Sequence, residues 1–189
     1  MPPHLTPELG PEVNIMNATD TLTRTPSVST DDFRSAMRRL AGGVSIISGA
    51  GPAGPLGVTA TAVTSLTADP PSVLCCLNRA LDLESAVKES GTFGVNMLRA
   101  DHQDLAERFA GMHGVSGTAK FERGDWSILP SSVPALADSL VSFDCSVEQI
   151  VEVGTHSIFV GLINGIYFGN HGDPLVYCNG AFSSLLPLN

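Results

Sequence analysis

The chain has 189 residues, enough for one domain with a substantial core. Only 15% of the residues are charged and 43% are hydrophobic, with 19 Gly and 13 Pro, which excludes disordered and coiled-coil classes and suits a compact, strand-rich protein. A net charge of −9 with only ten Lys and Arg argues against a nucleic-acid binder, while leaving room for a small anionic cofactor held by backbone N–H groups and one or two cations.

Residues 1–28 are rich in Pro, Thr and Asn and poor in large apolar side chains, as in a flexible N-terminal tail or an arm lying on a partner. They lack a basic start followed by an apolar run, and no stretch of the chain is long and apolar enough for a membrane span. A cytoplasmic protein is expected, with one ordered domain over 29–189. "STDDFRSAMRRLAGG" spaces Phe33, Ala36, Met37 and Leu40 for an amphipathic helix. Ser29 or Thr30 caps it, Asp31 and Asp32 open it, Arg38 and Arg39 close it, and Gly42-Gly43 stops it.

A strand over 44–49 and a turn over 50–55 follow. Two further strands, 56–67 and 72–78, are joined at Asp69-Pro70-Pro71. A short helix over 82–91 takes Asp82 as its cap and Gly91 as its stop. A strand over 92–98 leads to a helix over 101–111 capped by Asp101, and a Gly-rich excursion over 111–124 ends in "KFERGDW". From Ala135 to Tyr167 the chain alternates like strands, and 174–182 supplies one more. This order lacks regular βαβ units, so the expected fold is mainly β: a barrel with short helices packed outside.

Several chemistries lack footing. No GxGxxG opens a helix, no phosphate-binding GxxxxGK[ST] occurs, the five histidines have no zinc-like spacing, and no GxSxG elbow is present. The four cysteines read as buried apolar thiols, with Cys75 and Cys76 on opposite faces of a strand, so no metal site is expected.

The hydroxyl-rich stretch "GVTATAVTSLTADPPSVLCCLNR" is the unusual feature. In a regular strand Thr59, Thr61 and Val63 share one face, and Ala60, Ala62 and Thr64 the other. Small Ala beside Thr leaves room for a planar heteroaromatic ring whose edge meets hydroxyls and backbone amides. Thr is also a good strand former, so composition alone favours an ordinary strand.

The order of residues from Gly57 to Pro71 resembles the signature of the flavin reductase-like family, the small reductase components of two-component flavin-dependent monooxygenases. "FRSAMRRLAGGVSII", "FGVNML", "LAERFAG", "KFERGDW" and "DPLVYCNGAF" are similar too, so the resemblance spans about 31–186. It implies a split β-barrel, usually a homodimer, with flavin near the subunit interface. Thr59, Ala60, Thr61 and Ala62 would then line the isoalloxazine, with Ser65 and Thr67 near the ring or ribityl chain, and Gly43 would also be a cofactor-binding residue. Asn78 and Arg79 would lie at the flavin phosphate end, where Leu83 and its neighbours offer helix N–H groups. Phe109, Lys120 and Phe121 match positions near the flavin or its entrance, although Phe109 equally fits the core face of a helix. Phe182 takes a place often held by Tyr, in the core or next to the flavin, and His156 would sit beside the nicotinamide of NADH or NADPH.

Three positions depart from the pattern: Thr61 stands where Asn is usual, Asp82 lies in the loop expected to meet phosphate, and Thr155 replaces an Asp. The implied activity is hydride transfer from NADH or NADPH to FAD or FMN, without a catalytic residue on the protein, supplying reduced flavin to a partner monooxygenase. The alternatives are a flavoprotein that retains its flavin and reduces a corrinoid, metal chelate or quinone, and a non-enzymatic flavin-binding barrel.

Overall fold

One extended segment supplies both edges of the main sheet. The computed structural model describes residues 14–17 and 28–186. In chain order its elements are β1 (Asn14–Asn17), α1 (Thr30–Met37), β2 (Gly42–Gly43), β3 (Ser45–Gly51), β4 (Gly54–Ala60), β5 (Val63–Ala68), β6 (Pro71–Asn78), α2 (Asp82–Ser90) and β7 (Thr92–Met97). A 3-10 turn (Ala100–His102), α3 (Gln103–Phe109) and a second 3-10 turn (Gly117–Glu122) come next. Then follow β8 (Trp126–Ile128), β9 (Pro134–Leu136), β10 (Val141–Val153), β11 (His156–Phe168), β12 (Leu175–Cys178) and β13 (Ala181–Ser184).

The main sheet runs β4-β3-β7-β10-β11-β6-β5. Its two edge strands, β4 and β5, are consecutive in the chain and separated only by Thr61-Ala62, so the sheet closes on itself as a barrel. The Cys76 N–H donates to the Ala62 carbonyl at 3.1 Å and seals the corner. The long strand β10 changes neighbours: 141–146 pair with β7, whereas 149–152 pair in parallel with β1. The barrel is therefore split. A three-stranded sheet, β13-β12-β2, lies beside it.

The interior is apolar. Ile47, Val73, Cys75, Leu77, Phe93, Val95, Ile150 and Phe159 fill it, joined by Leu83 and Val87 from α2. A second cluster, including Ile46, Leu98, Leu105, Phe109 and Leu175, lies between the barrel wall and α3. Adjacent Ile46 and Ile47 are both fully buried because β3 has core on both faces. Gly57 makes the α3 contact possible: a Cβ there would stand 2.6 Å from the Phe109 ring.

Several elements differ from the sequence expectations. The segment 56–67 is two strands. Ala60 and Val63 both pack against the interior, while Thr61 and Ala62 between them are exposed. Thr61 and Val63 therefore do not share a face, because the corner resets the alternation. Helix α1 is capped by Ser29, which accepts from the Asp32 N–H at 3.0 Å, but it ends at Met37, and Gly42-Gly43 form a strand paired with β12. Its apolar residues Phe33 and Met37, with Leu40 beyond its end, are exposed rather than packed. Asp82 lies in the first turn of α2, whose cap position is Leu81.

Asp101 does not cap α3. It binds Arg99 instead, at 2.6 Å, and a 3-10 turn precedes the helix. The closing strand is a hairpin, because Asn179 (φ 53°) and Gly180 (φ 81°) form its two-residue turn. Within the expected tail, Asn14–Asn17 form a strand. The rest of that expectation, Val28 aside, lies outside the described residues.

Cys75 and Cys145 are fully buried in the interior, whereas Cys76 and Cys178 are partly exposed. Burial pushes the Cys75 thiol far up and that of Cys145 to about 12. A thiol-specific reagent at mildly alkaline pH should therefore label Cys76 and Cys178 first, and Cys75 and Cys145 only after denaturation. Fast labelling of Cys75 or Cys145 in the folded protein would contradict this placement.

Candidate functional site

Strand pleating fixes what the Thr61-Ala62 corner faces. Val63 pairs with Cys75 and points inward, so Ala62 and Cys76 lie on the outer face. Cys76 pairs with Ile158, and Asn78 with His156, which places those side chains on the same outer face. From Ala62 to His156 is two strands across and two residues along. That is roughly 12 Å at strand spacings of ~4.8 Å and rises of ~3.4 Å. Small Ala62 and Cys76, bordered by Asn78 and His156, make this face low and flat.

Two cavities lie along the outer side of β4. One, of about 470 Å³, is walled by Thr59, Ala60 and Thr61, by Glu107 of α3, by Met112, and by Tyr177 and Phe182 of the terminal hairpin. Tyr177 and Phe182 pack edge to face with centroids 5.2 Å apart. The second, of about 450 Å³, lies between Gly57, the start of α2 (Leu81, Asp82, Leu83), the loop after α3 and Lys120. Leu81, at the N-cap of α2, makes no side-chain capping bond. A groove of about 640 Å³ runs from Phe33 and Met37 past Gly43 to Thr61 and Tyr177, and so joins the first cavity.

Charge is sparse along β4. Lys120 Nζ donates to the Phe109 carbonyl at 2.9 Å and to the Gly57 carbonyl at 3.3 Å, and burial lowers its pKa. Glu107 is held below the usual carboxylate range by hydrogen bonds from Gln103 and then His113. Arg79, by contrast, is paired: its Nη2 lies 2.9 Å from Glu152 Oε2. Asn78 Oδ1 accepts the Ala80 N–H at 2.9 Å and shapes the turn into α2.

The residues picked out from sequence fall into groups. Thr59, Ala60, Thr61 and Phe182 share the first cavity, and Gly43 joins them through the groove. Leu83 and Lys120 share the second cavity. Ala62, Asn78 and His156 share the outer face, with Arg79 behind them. Ser65 and Thr67 are exposed on β5, and the Thr67 hydroxyl closes the turn to Asp69. Phe109 is fully buried and Phe121 partly so. They form an aromatic cluster with Trp126, so the contribution of Phe109 is to packing rather than to a ligand surface. Met112 and Tyr177 line the first cavity without having stood out in the sequence, although the Gly-rich excursion and the Asn-Gly hairpin mark where they lie. Glu152, the partner of Arg79, did not stand out either.

The Thr59 hydroxyl faces α3 and donates to the Ala106 carbonyl at 2.6 Å. Thr59→Val should cost about 1 kcal/mol of stability in denaturant unfolding, by losing one hydrogen bond, while leaving flavin affinity unchanged. A large loss of flavin affinity at unchanged stability would show that this hydroxyl serves a ligand instead.

Comparison with known proteins matches this architecture. The model of the flavin reductase like domain matches residues 37–186. An FMN reductase (NADH), RutF, of Serratia proteamaculans is 41% identical over 167 residues, 88% of this chain and 94% of its own length. The 4-hydroxyphenylacetate 3-monooxygenase reductase component of Pseudomonas aeruginosa is 36% identical over 153 residues, 81% of this chain and 90% of its own. The crystal structure of a flavin reductase domain protein from Arthrobacter superposes with a TM-score of 0.77 at 32% identity, covering 85% of this chain and 98% of that one. The split barrel, its small-residue corner and these matches together place the chain in the flavin reductase-like family.

Proposed function

We propose that the protein is an NADH-dependent flavin reductase that uses FMN or FAD and supplies reduced flavin to a separate monooxygenase. The observation that carries this function is the corner: Thr59, Ala60 and Thr61 line a cavity of about 470 Å³, and Ala62 next to them lies on the outer face that bears His156. The names of two relatives, an FMN reductase (NADH) and a monooxygenase reductase component, point the same way.

The residues present suit a flat, amphipathic ring. Short side chains at the corner keep the floor low, Tyr177 and Phe182 offer an aromatic wall, and the Thr61 hydroxyl offers an edge contact. Lys120 and the uncapped start of α2 in the neighbouring cavity suit a phosphate. Asp82 lines that cavity too, which favours Lys120 as the side for anionic groups. Bound flavin supplies the hydride acceptor, so the chain needs no general acid or base for the transfer. Its own residues orient the two rings, with His156 and Asn78 holding the nicotinamide side, and limit access of water.

A homodimer completes this picture. Phe33, Met37 and Leu40 beside the groove, Leu66 on β5, and Ile166 to Phe168 on β11 are large apolar residues left exposed, and a second copy covering them would roof the open face. Four free thiols suit a cytoplasmic setting.

The purified protein should oxidise NADH, and NADPH more slowly, only when FMN or FAD is added. No oxidation with either flavin would overturn the proposal, and oxidation without added flavin would indicate a retained flavin and another acceptor. Light scattering should give a dimer, and Leu66→Glu should shift it toward monomer. A monomeric unsubstituted chain would refute the roofed site.

A further inference from the structure

Two carboxylates and two cations form a linear chain, Glu84–Lys88–Glu152–Arg79, beside the turn that carries His156. Lys88 Nζ lies 2.7 Å from Glu84 Oε1 and 2.5 Å from Glu152 Oε1. Arg79 Nη2 lies 2.9 Å from Glu152 Oε2. The Ser157 hydroxyl donates to Glu84, whose side chain is only 3% exposed. The formal charges cancel, and Glu152 is the middle link, with one oxygen on each cation. Burial opposes the charge on Lys88, but hydrogen bonds to Glu152 and Glu84 outweigh it and raise its pKa.

The links come from separate elements. Lys88 and Glu84 belong to α2, Arg79 to the turn between β6 and α2, and Glu152 to the end of β10. Two residues past Glu152 the chain reverses through Gly154-Thr155, where Gly154 takes φ +57°. Arg79 grips this turn twice more: its backbone N–H donates to the Thr155 carbonyl at 2.9 Å, and its Nη1 to the Gly154 carbonyl at 3.4 Å. The Thr155 hydroxyl lies 2.9 Å from His156 Nδ1. His156 is exposed, so its own packing does little to hold it.

We propose that Glu152 is a positioning residue: by holding Arg79 and Lys88 it locks the Gly154-Thr155 turn against the β6–α2 turn and so fixes His156 beside Asn78 for the nicotinamide. This rests on the nicotinamide-binding role of His156 given above. Arg79 then serves the clamp, with its guanidinium committed to Glu152 and Gly154. Removing the Glu152 charge leaves Lys88 its bond to Glu84 but takes from Arg79 its only ion pair among the described residues.

The test is steady-state kinetics at saturating flavin for the unsubstituted protein, Glu152→Gln, His156→Ala and the double variant, with thermal melting alongside. Glu152→Gln should raise KM for NADH about tenfold through misplacement of the binding group, with kcat and flavin affinity nearly unchanged. It should add nothing in the His156→Ala background, and Glu152→Asp should restore part of the loss. A lowered melting temperature with unchanged KM, or an equal KM effect with and without His156, would overturn the positioning role. An active protein in which His156→Ala raises KM and Glu152→Gln does not would remove the clamp alone. A protein that oxidises no NADH with either flavin would remove the function and the clamp's role together.

Discussion

The structure depends on a change of hydrogen-bonding partner at Thr61-Ala62. Before it, the segment pairs with β3; after it, with β6. One break thus converts an open sheet into a ring and removes the problem of two exposed edges. It also leaves two adjacent residues outside the barrel, where an unbroken strand would turn one of them inward. The segment facing the corner is kept small as well: a Cβ at Gly42 would lie 3.2 Å from Thr61 Cβ. Small residues at the corner satisfy the fold and leave the recess a ligand needs.

Charge is distributed to match. The chain is strongly acidic, yet the cavities along β4 carry a cation whose partners are carbonyls rather than carboxylates. Lys120 therefore keeps an unneutralised charge where a phosphate would use it. Near His156 the opposite holds: Arg79 and Lys88 are neutralised by Glu152 and Glu84, and their charge acts on structure. Lysine does different work at the two places because its partners differ.

Much of this was legible in the sequence. The helices, the long paired strands β10 and β11 and the barrel class follow from apolar spacing and turn residues. The break inside 56–67 did not, because alternating Ala and Thr contains no large apolar residue to mark which positions point inward. The caps assigned to Asp82 and Asp101 failed for local reasons: the chain enters α2 one residue earlier, and Arg99 captures the Asp101 carboxylate. Cavity residues emerged where the resemblance named them. Tyr177 and Met112 did not, since only tertiary packing brings the terminal hairpin and the loop after α3 to the corner. The Glu152 clamp joins residues far apart in the chain, and periodicity carries no signal for such pairs.

A site on the outside of a barrel has a functional consequence. A ligand buried in the interior would have to replace Phe93, Phe159 and their neighbours, which fill it. At the corner the walls are a hairpin, a helix end and a loop whose Gly111, Gly114 and Gly117 all take left-handed backbone conformations. A ligand held by such walls would lie at the surface, where it could leave without unpacking the core. An enzyme that must hand reduced flavin to another protein needs binding of that kind. The turns beside His156 are by contrast cross-linked, by the Arg79 N–H on the Thr155 carbonyl and by the Arg79–Glu152 ion pair.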